Sequence, residues 1–443
     1  MRQHRGIIRN IEVKIFFILF MGYIVCCFLG LFIEIGVGSS GGLLLSSEPA
    51  INKGLRRIFY FFVLFVSLHY VKCKIFNNKA IYVLMFGVFG QLVFSLFATW
   101  VGLTLLPWSY SVFYNVLVSA FSYIIFFLSV RFVIANNLSM YLVRIKLLLL
   151  GTFLIGLYII NFDGLKFLNP DTLRAMFLSG GRYRYAFGLN HVNSLGYCCF
   201  FYLAFLAIYR HMRTLSSLNK NHKKGGGLID FYLSWVCTPI VIIMLLSSAS
   251  RSSITSIILF WMILYFINNY QRLGSRTKFM YIFISIILLF IIIFLVDWDF
   301  VYQQSGRERN YINGLEALQN INTLIVGFGL TGAGSEFLSF VGLAYVDSVY
   351  LANLLQTGIL GCLFFFGSIF YFTRCYFRNI NGLSKLHQLC GCLLIAMLYR
   401  GLFEGALFGP KSSFYFTAWL LIVICMNERK PLKHSMCHQP VLQ

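Results

Sequence analysis

The chain has 443 residues, 59% hydrophobic, 18% aromatic and only 11% charged, whereas a soluble domain carries about 25% charged residues. Its 48 Phe and 26 Tyr exceed what a water-soluble fold of this size can hide, so the composition excludes a soluble globular protein and a disordered chain and makes lipid the main solvent. The net charge of +22 suits either a nucleic-acid surface or the basic cytoplasmic loops of a polytopic membrane protein, and its distribution decides between them.

Apolar runs of about 17–25 residues, the length that crosses ~30 Å of hydrocarbon, fall at 15–33, 57–71, 80–106, 112–135, 143–162, 191–209, 229–247, 252–267, 279–296, 346–373, 386–403 and 412–426. The first follows Arg2, Arg5 and Arg9 and is too long for a signal-peptide core, so it reads as a retained anchor. With the N-terminus in the cytoplasm and the spans alternating, the inner side holds 24 Lys+Arg against 3 Asp+Glu, and the outer side 12 against 11. Arg131, Arg144 and Lys146 count with the inner face. This segregation is the positive-inside pattern. It predicts an all-α polytopic membrane protein of twelve spans, a single membrane domain over 1–443 with both termini cytoplasmic, and no nucleic-acid partner. None of the twelve cysteines falls in a proposed outer loop, which speaks against a disulfide framework. The scarcity of ionisable groups at mid-membrane depth speaks against a coupled transporter.

Two long outer loops, 163–190 and 297–345, are the natural places for function. The first ends in Arg182-Tyr183-Arg184 and leads to Asn190-His191-Val192-Asn193 at the mouth of a span. Arginine offers a planar fork of donors suited to phosphate; it also anchors helix ends at lipid head groups. Between two later spans lies the tight turn Ser247-Ser248-Ala249-Ser250-Arg251-Ser252-Ser253. Its small serines permit close helix approach and supply hydroxyls.

The late loop begins with Asp297-Trp298-Asp299, most simply an interfacial Trp with acidic neighbours. It continues with Ser305-Gly306-Arg307-Glu308-Arg309, after which Ile312, Leu315, Leu318 and Ile321 recur every third residue. That spacing predicts one short amphipathic helix lying on the membrane. Next comes Gly327-Phe328-Gly329-Leu330-Thr331-Gly332, which matches the dinucleotide fingerprint but lacks its strand–turn–helix context and reads as a flexible glycine turn. The loop closes on Asp347-Ser348-Val349-Tyr350-Leu351, followed by Gly358-Ile359-Leu360-Gly361. Asp347, at the head of a span, suits either a general base with a raised pKa or a helix N-cap. At the last outer turn, Arg400 and Glu404 are spaced to pair on one helix face.

In this order (R-x-R-x-x-x-G-x-N-H-x-N, Ser-Arg-Ser, S-G-R, a G-x-G turn, then D-S-x-Y-L and G-I-L-G) residues 180–361 resemble the O-antigen ligase and polymerase superfamily of bacterial membrane glycosyltransferases. Ligases carry His-Asn where this chain has Asp347-Ser348, so the resemblance leans to the repeat-unit polymerase (Wzy-type) branch. It implies a GT-C-like fold in the bacterial cytoplasmic membrane. It also implies undecaprenyl-diphosphate-linked oligosaccharides as donor and acceptor, metal-independent chemistry with no cofactor, and a chain-length-regulating co-polymerase as partner. Arg182, Arg184, Arg251 and Arg307, with Asn193, Tyr350 and Arg400, are the expected diphosphate and substrate ligands. Asp347 is the expected base, with His191 and Glu404 behind it. Rival readings are a ligase of the same superfamily, a lipid-linked oligosaccharide flippase or transporter, and a structural or receptor protein.

Overall fold

The computed structural model describes residues 2–33, 57–64, 76–104, 110–161, 186–187, 189, 192–218, 227–248, 250–269, 307–329, 348–378, 384–402 and 413–428. All regular structure among them is helical: α1 (Arg2–Ile33), α2 (57–64), α3 (Lys79–Trp100), α4 (Tyr110–Asn136), α5 (Ser139–Ile160), α6 (Val192–Leu218), α7 (Gly227–Ser247), α8 (Arg251–Asn269), α9 (Arg307–Glu316), α10 (Ile321–Val326), α11 (Val349–Phe377), α12 (Lys385–Arg400) and α13 (Ser413–Glu428). Seven of these helices are long and apolar enough to cross a membrane, and α13 is a shorter apolar helix. The run at 279–296 lies outside the described residues.

Helix α3 shows why the solvent is lipid. Gln91, Ser95 and Thr99, four residues apart, are buried, while Phe86, Val93 and Phe97 on the opposite side are 54–68% exposed. In water the two faces would exchange places. In lipid the polar face is turned inward because no solvent satisfies it. The chain is therefore an α-helical membrane protein.

Aromatic contacts and caps set the helix directions. Phe17 meets Tyr141 (6.5 Å) and Phe28 stacks on Phe153 (4.6 Å), so α1 and α5 are parallel. Phe20 packs near Phe416 and Phe28 near Phe414, which makes α13 antiparallel to both. At one end of the bundle Asn78 caps α3 and donates to the Met426 carbonyl, while the Asn77 amide donates to Asn427 Oδ1. At that same end, the Tyr376 hydroxyl donates to the His387 carbonyl and ties the end of α11 to the start of α12. The opposite end gathers the starts of α6, α8, α11 and α13 with the end of α12.

Two helices are irregular. In α7 the segment Tyr232–Cys237 is π-helical just before Pro239. Within this segment the Leu233 carbonyl accepts from the hydroxyls of Tyr202 (2.7 Å) and Thr238 (2.8 Å). In α11 the backbone breaks at Gly358, with φ 61° and ψ −171°. Such a break frees main-chain groups that lipid cannot satisfy. The Gly327-Phe328-Gly329 turn fills it: the Phe328 amide donates to the Leu355 carbonyl (2.8 Å) and the Gly329 amide to the Gln356 carbonyl (3.0 Å).

This corrects two expectations. The glycine turn is no loose link, because Gly327, Phe328 and Gly329 are buried and both glycines have positive φ, 77° and 106°. The single amphipathic surface helix is two helices, α9 and α10. Asn320 caps the second by accepting from the Asn322 amide, which divides the run. Only Leu318 of the expected stripe is buried, against Phe328, Leu351 and Leu355. Ile312, Leu315 and Ile321 are exposed.

A Cβ at Gly327 would lie 2.6 Å from the backbone of Gln356, Thr357 and Gly358, in a conformation that L-residues rarely adopt. Gly327→Ala is expected to cost about 2 kcal/mol or more, read as a lowered thermal midpoint in detergent. Gly367→Ala on α11, where nothing lies within 4 Å, is expected to be neutral or slightly stabilising, because Ala is the better helix former.

Candidate functional site

The described candidate residues converge at the end of the bundle that gathers the starts of α6, α8, α11 and α13. Glycine makes the first join. A Cβ at Gly196 on α6 would meet Ser250 Cβ at 2.5 Å and Ser253 Oγ at 2.6 Å, so α6 can lie directly on the serine turn that opens α8. Ser250 and Ser253 share a hydroxyl hydrogen bond of 2.9 Å, and Ser253 is fully buried.

Arg400, the last residue of α12, reaches this join. It is fully buried. Its Nη1 donates to Ser253 Oγ at 2.8 Å, and its guanidinium lies 4.9 Å from the ring of Tyr197 and 5.5 Å from that of Phe200. Arg400, expected at the last outer turn and among the substrate ligands, is thus held inside the bundle. Lipid and protein exclude water from the end of α12, and the cation is held by a hydroxyl and aromatic faces, worth ~2 kcal/mol per desolvated ring. Tyr399 beside it donates to Thr255 Oγ1 at 3.2 Å.

The start of α11 is tied to the same place. The Val349 amide donates to the Gly401 carbonyl (3.0 Å), Tyr350 Oη to the Leu398 carbonyl (2.7 Å) and Tyr311 Oη of α9 to the Leu402 carbonyl (2.9 Å). These carbonyls belong to the end of α12, where helical partners run out. The Tyr350 hydroxyl is thereby engaged in holding α11 to α12. Ser348 caps α11, its Oγ accepting from the Leu351 amide, so the cap considered for Asp347 is supplied by its neighbour.

Of the other expected residues, Arg251 is the first residue of α8, two before Ser253, and Arg307 is the first residue of α9, one turn before Tyr311. Asn193 is the second residue of α6, half-buried and one turn before Tyr197. Arg182, Arg184, His191, Asp347 and Glu404 lie outside the described residues. Arg251, Asn193, Tyr350 and Arg400 come from segments up to two hundred residues apart, and the fold brings these segments to one end of the bundle.

One cation was misplaced by the sequence. Lys146, counted with the inner face, is fully buried in α5. Its ammonium donates to Ser413 Oγ at 2.6 Å and lies 4.0 Å from the ring of Phe414. The signal was its phase: Lys146 shares a helix face with the buried Leu142, Val143, Leu150 and Leu154, whereas Arg144 does not.

Ser253→Ala is expected to destabilise the protein by about 1.5–3 kcal/mol, the range for hydrogen bonds to a charged group. Ser256→Ala is the comparison, since Ser256 bonds only the Ser252 carbonyl of its own helix, and it is expected to change stability by less than about 1 kcal/mol. Thermal unfolding of both variants in one detergent measures the difference.

No protein-family model matches this chain, and a comparison with curated proteins returns no match.

Proposed function

We propose that the protein is a polysaccharide polymerase. It would join undecaprenyl-diphosphate-linked oligosaccharide repeat units at the outer face of the bacterial cytoplasmic membrane. The observation that carries this reading is the buried Arg400, held against the Ser250–Ser253 turn at the end of the bundle where the segments containing Arg251, Arg307 and Asn193 begin or converge. A lipid-diphosphate leaving group develops negative charge as its bond to sugar breaks, and fixed positive donors at that place lower the barrier.

In this mechanism a hydroxyl of the incoming unit's terminal sugar attacks the anomeric carbon of the growing chain. The bond from that carbon to the diphosphate oxygen breaks, and undecaprenyl diphosphate leaves with the electron pair. Asp347 takes the hydroxyl proton, with His191 and Glu404 as the other candidate bases. Arg182, Arg184, Arg251 and Arg307 clamp the diphosphate, with Arg400 behind them.

The twelve-span arrangement belongs to this proposal and draws support from helix direction. Helices α1 and α3 run the same way, as do α8 and α11. The twelve-span arrangement assigns these same directions, with the apolar runs 57–71 and 279–296 counted as the spans between them. The cytoplasmic termini and the chain-length-regulating partner are proposed on the same terms.

Arg307→Gln is expected to abolish polymer while the protein stays in the membrane at normal abundance, read as a carbohydrate ladder beside an immunoblot of membranes. Near-normal polymer would overturn the clamp.

A second reading is a carrier for the same lipid-linked sugar, favoured by the burial of Lys146 and Arg400, since intramembrane charges mark transport pathways. Cells lacking the protein separate the readings. Single repeats attached to the surface anchor indicate a polymerase, and complete loss of attached sugar indicates a ligase or a flippase.

A further inference from the structure

Lys146 and Arg400 approach each other through a run of side chains that crosses four helices. Lys146 Nζ lies 4.0 Å from the Phe414 ring centroid and 5.0 Å from that of Phe28. Phe414 meets Tyr197 edge to face, with centroids 4.7 Å apart and planes at 73°. Tyr197 carries the Arg400 guanidinium at 4.9 Å. The order is cation, ring, ring, cation, passing from α5 through α13 and α6 to α12. Each cation also has a hydroxyl, Ser413 for Lys146 and Ser253 for Arg400. Cys198, the residue after Tyr197, lies in the electrostatic field of both.

As packing alone this arrangement is costly. An ammonium taken from water into a helix bundle loses hydration worth several kcal/mol, and two like charges add repulsion. An apolar side chain of similar volume fills such a space more cheaply. Ionisable groups inside membrane bundles mark functional sites by default. What the pair supplies is positive potential at the end of the bundle, and a dianion arriving there would be stabilised by both charges.

We infer that Lys146 is a positioning residue that raises the affinity of the Arg400 end of the bundle for the diphosphate of a polyprenyl lipid, acting through Phe414 and Tyr197 rather than by touching the ligand. The identity of the ligand rests on the function proposed above. The effect of Lys146 is a matter of charge: it should discriminate a lipid diphosphate from the uncharged alcohol with the same tail, which a purely structural lysine would not do.

The test uses the full-length protein in nanodiscs and measures binding of undecaprenyl diphosphate and of undecaprenol. Wild type should prefer the diphosphate. Lys146→Met should weaken diphosphate binding by about tenfold, the scale of one unit charge acting across two rings at an effective dielectric of about 20. It should leave undecaprenol binding within about twofold, and Lys146→Arg should restore the preference. Unchanged diphosphate binding in Lys146→Met, or equal loss of both lipids, overturns the inference and leaves the proposed function standing. A wild-type protein without preference for the diphosphate instead overturns the ligand assignment. Should Lys146→Met fail to assemble, Lys146→Gln gives the same comparison. Failure of both neutral variants to assemble would make Lys146 a folding residue and also overturn the inference.

Discussion

Lipid offers no hydrogen bonds, and the organisation of this protein follows from that. Polar groups inside the bundle mostly find their partners within the chain, the buried Ser95 hydroxyl being an exception. The inward polar stripe of α3 is one result: the Gln91 amide donates to Asn353 Oδ1 at 2.7 Å and to Thr357 Oγ1 at 3.2 Å across the interface with α11. The glycine turn seated in the α11 break is another, since it returns donors to two carbonyls that the kink leaves open. The π-helical turn of α7 is a third, with the Leu233 carbonyl handed to two hydroxyls. The buried cations obey the same rule with hydroxyls and aromatic rings.

The need for internal partners also explains how the late loop and the arginine end are connected. Helix α10 ends at Gly327, whose turn docks on α11 one helical turn beyond Asn353. Helix α9 reaches the end of α12 through Tyr311, and Leu318 between the two helices packs under Leu351 and Leu355. Two of these contacts hold the described part of this loop against the helix that opens at Ser348, and the third holds it to the end of α12. A loop fixed in this way sets where Arg307 begins its helix.

Much of the fold was readable from sequence because lipid imposes a length rule. The runs 143–162 and 229–247 correspond to α5 and α7 within a few residues. The serine turn was found at the right junction because small hydroxyl residues mark close approach. What escaped were interactions set by tertiary contact. Run length alone could not show the break at Gly358, because local propensity is apolar and helical on both sides and only the docked turn stabilises the kink. The burial of Arg400 was not legible, because its partner, Ser253, lies 147 positions away. Lys146 was assigned to the inner face by charge counting, which ignores helical phase. Tyr350 was expected among the substrate ligands from its place in the D-S-x-Y-L motif, and the bond its hydroxyl donates to the Leu398 carbonyl was not legible there.

The hydrogen bonds that fasten the end of α12 have a consequence for divergence. The acceptors at 398, 401 and 402 are main-chain carbonyls, present whatever side chain occupies those positions. Of the four donors, Tyr311, Tyr350 and the longer-range Ser348 hydroxyl are side chains, and the fourth is an amide that any residue except proline supplies. The joint therefore records itself in very few letters of the sequence. Its geometry can persist through extensive substitution around it, and the two tyrosines are where a distant copy of this arrangement would still be recognisable.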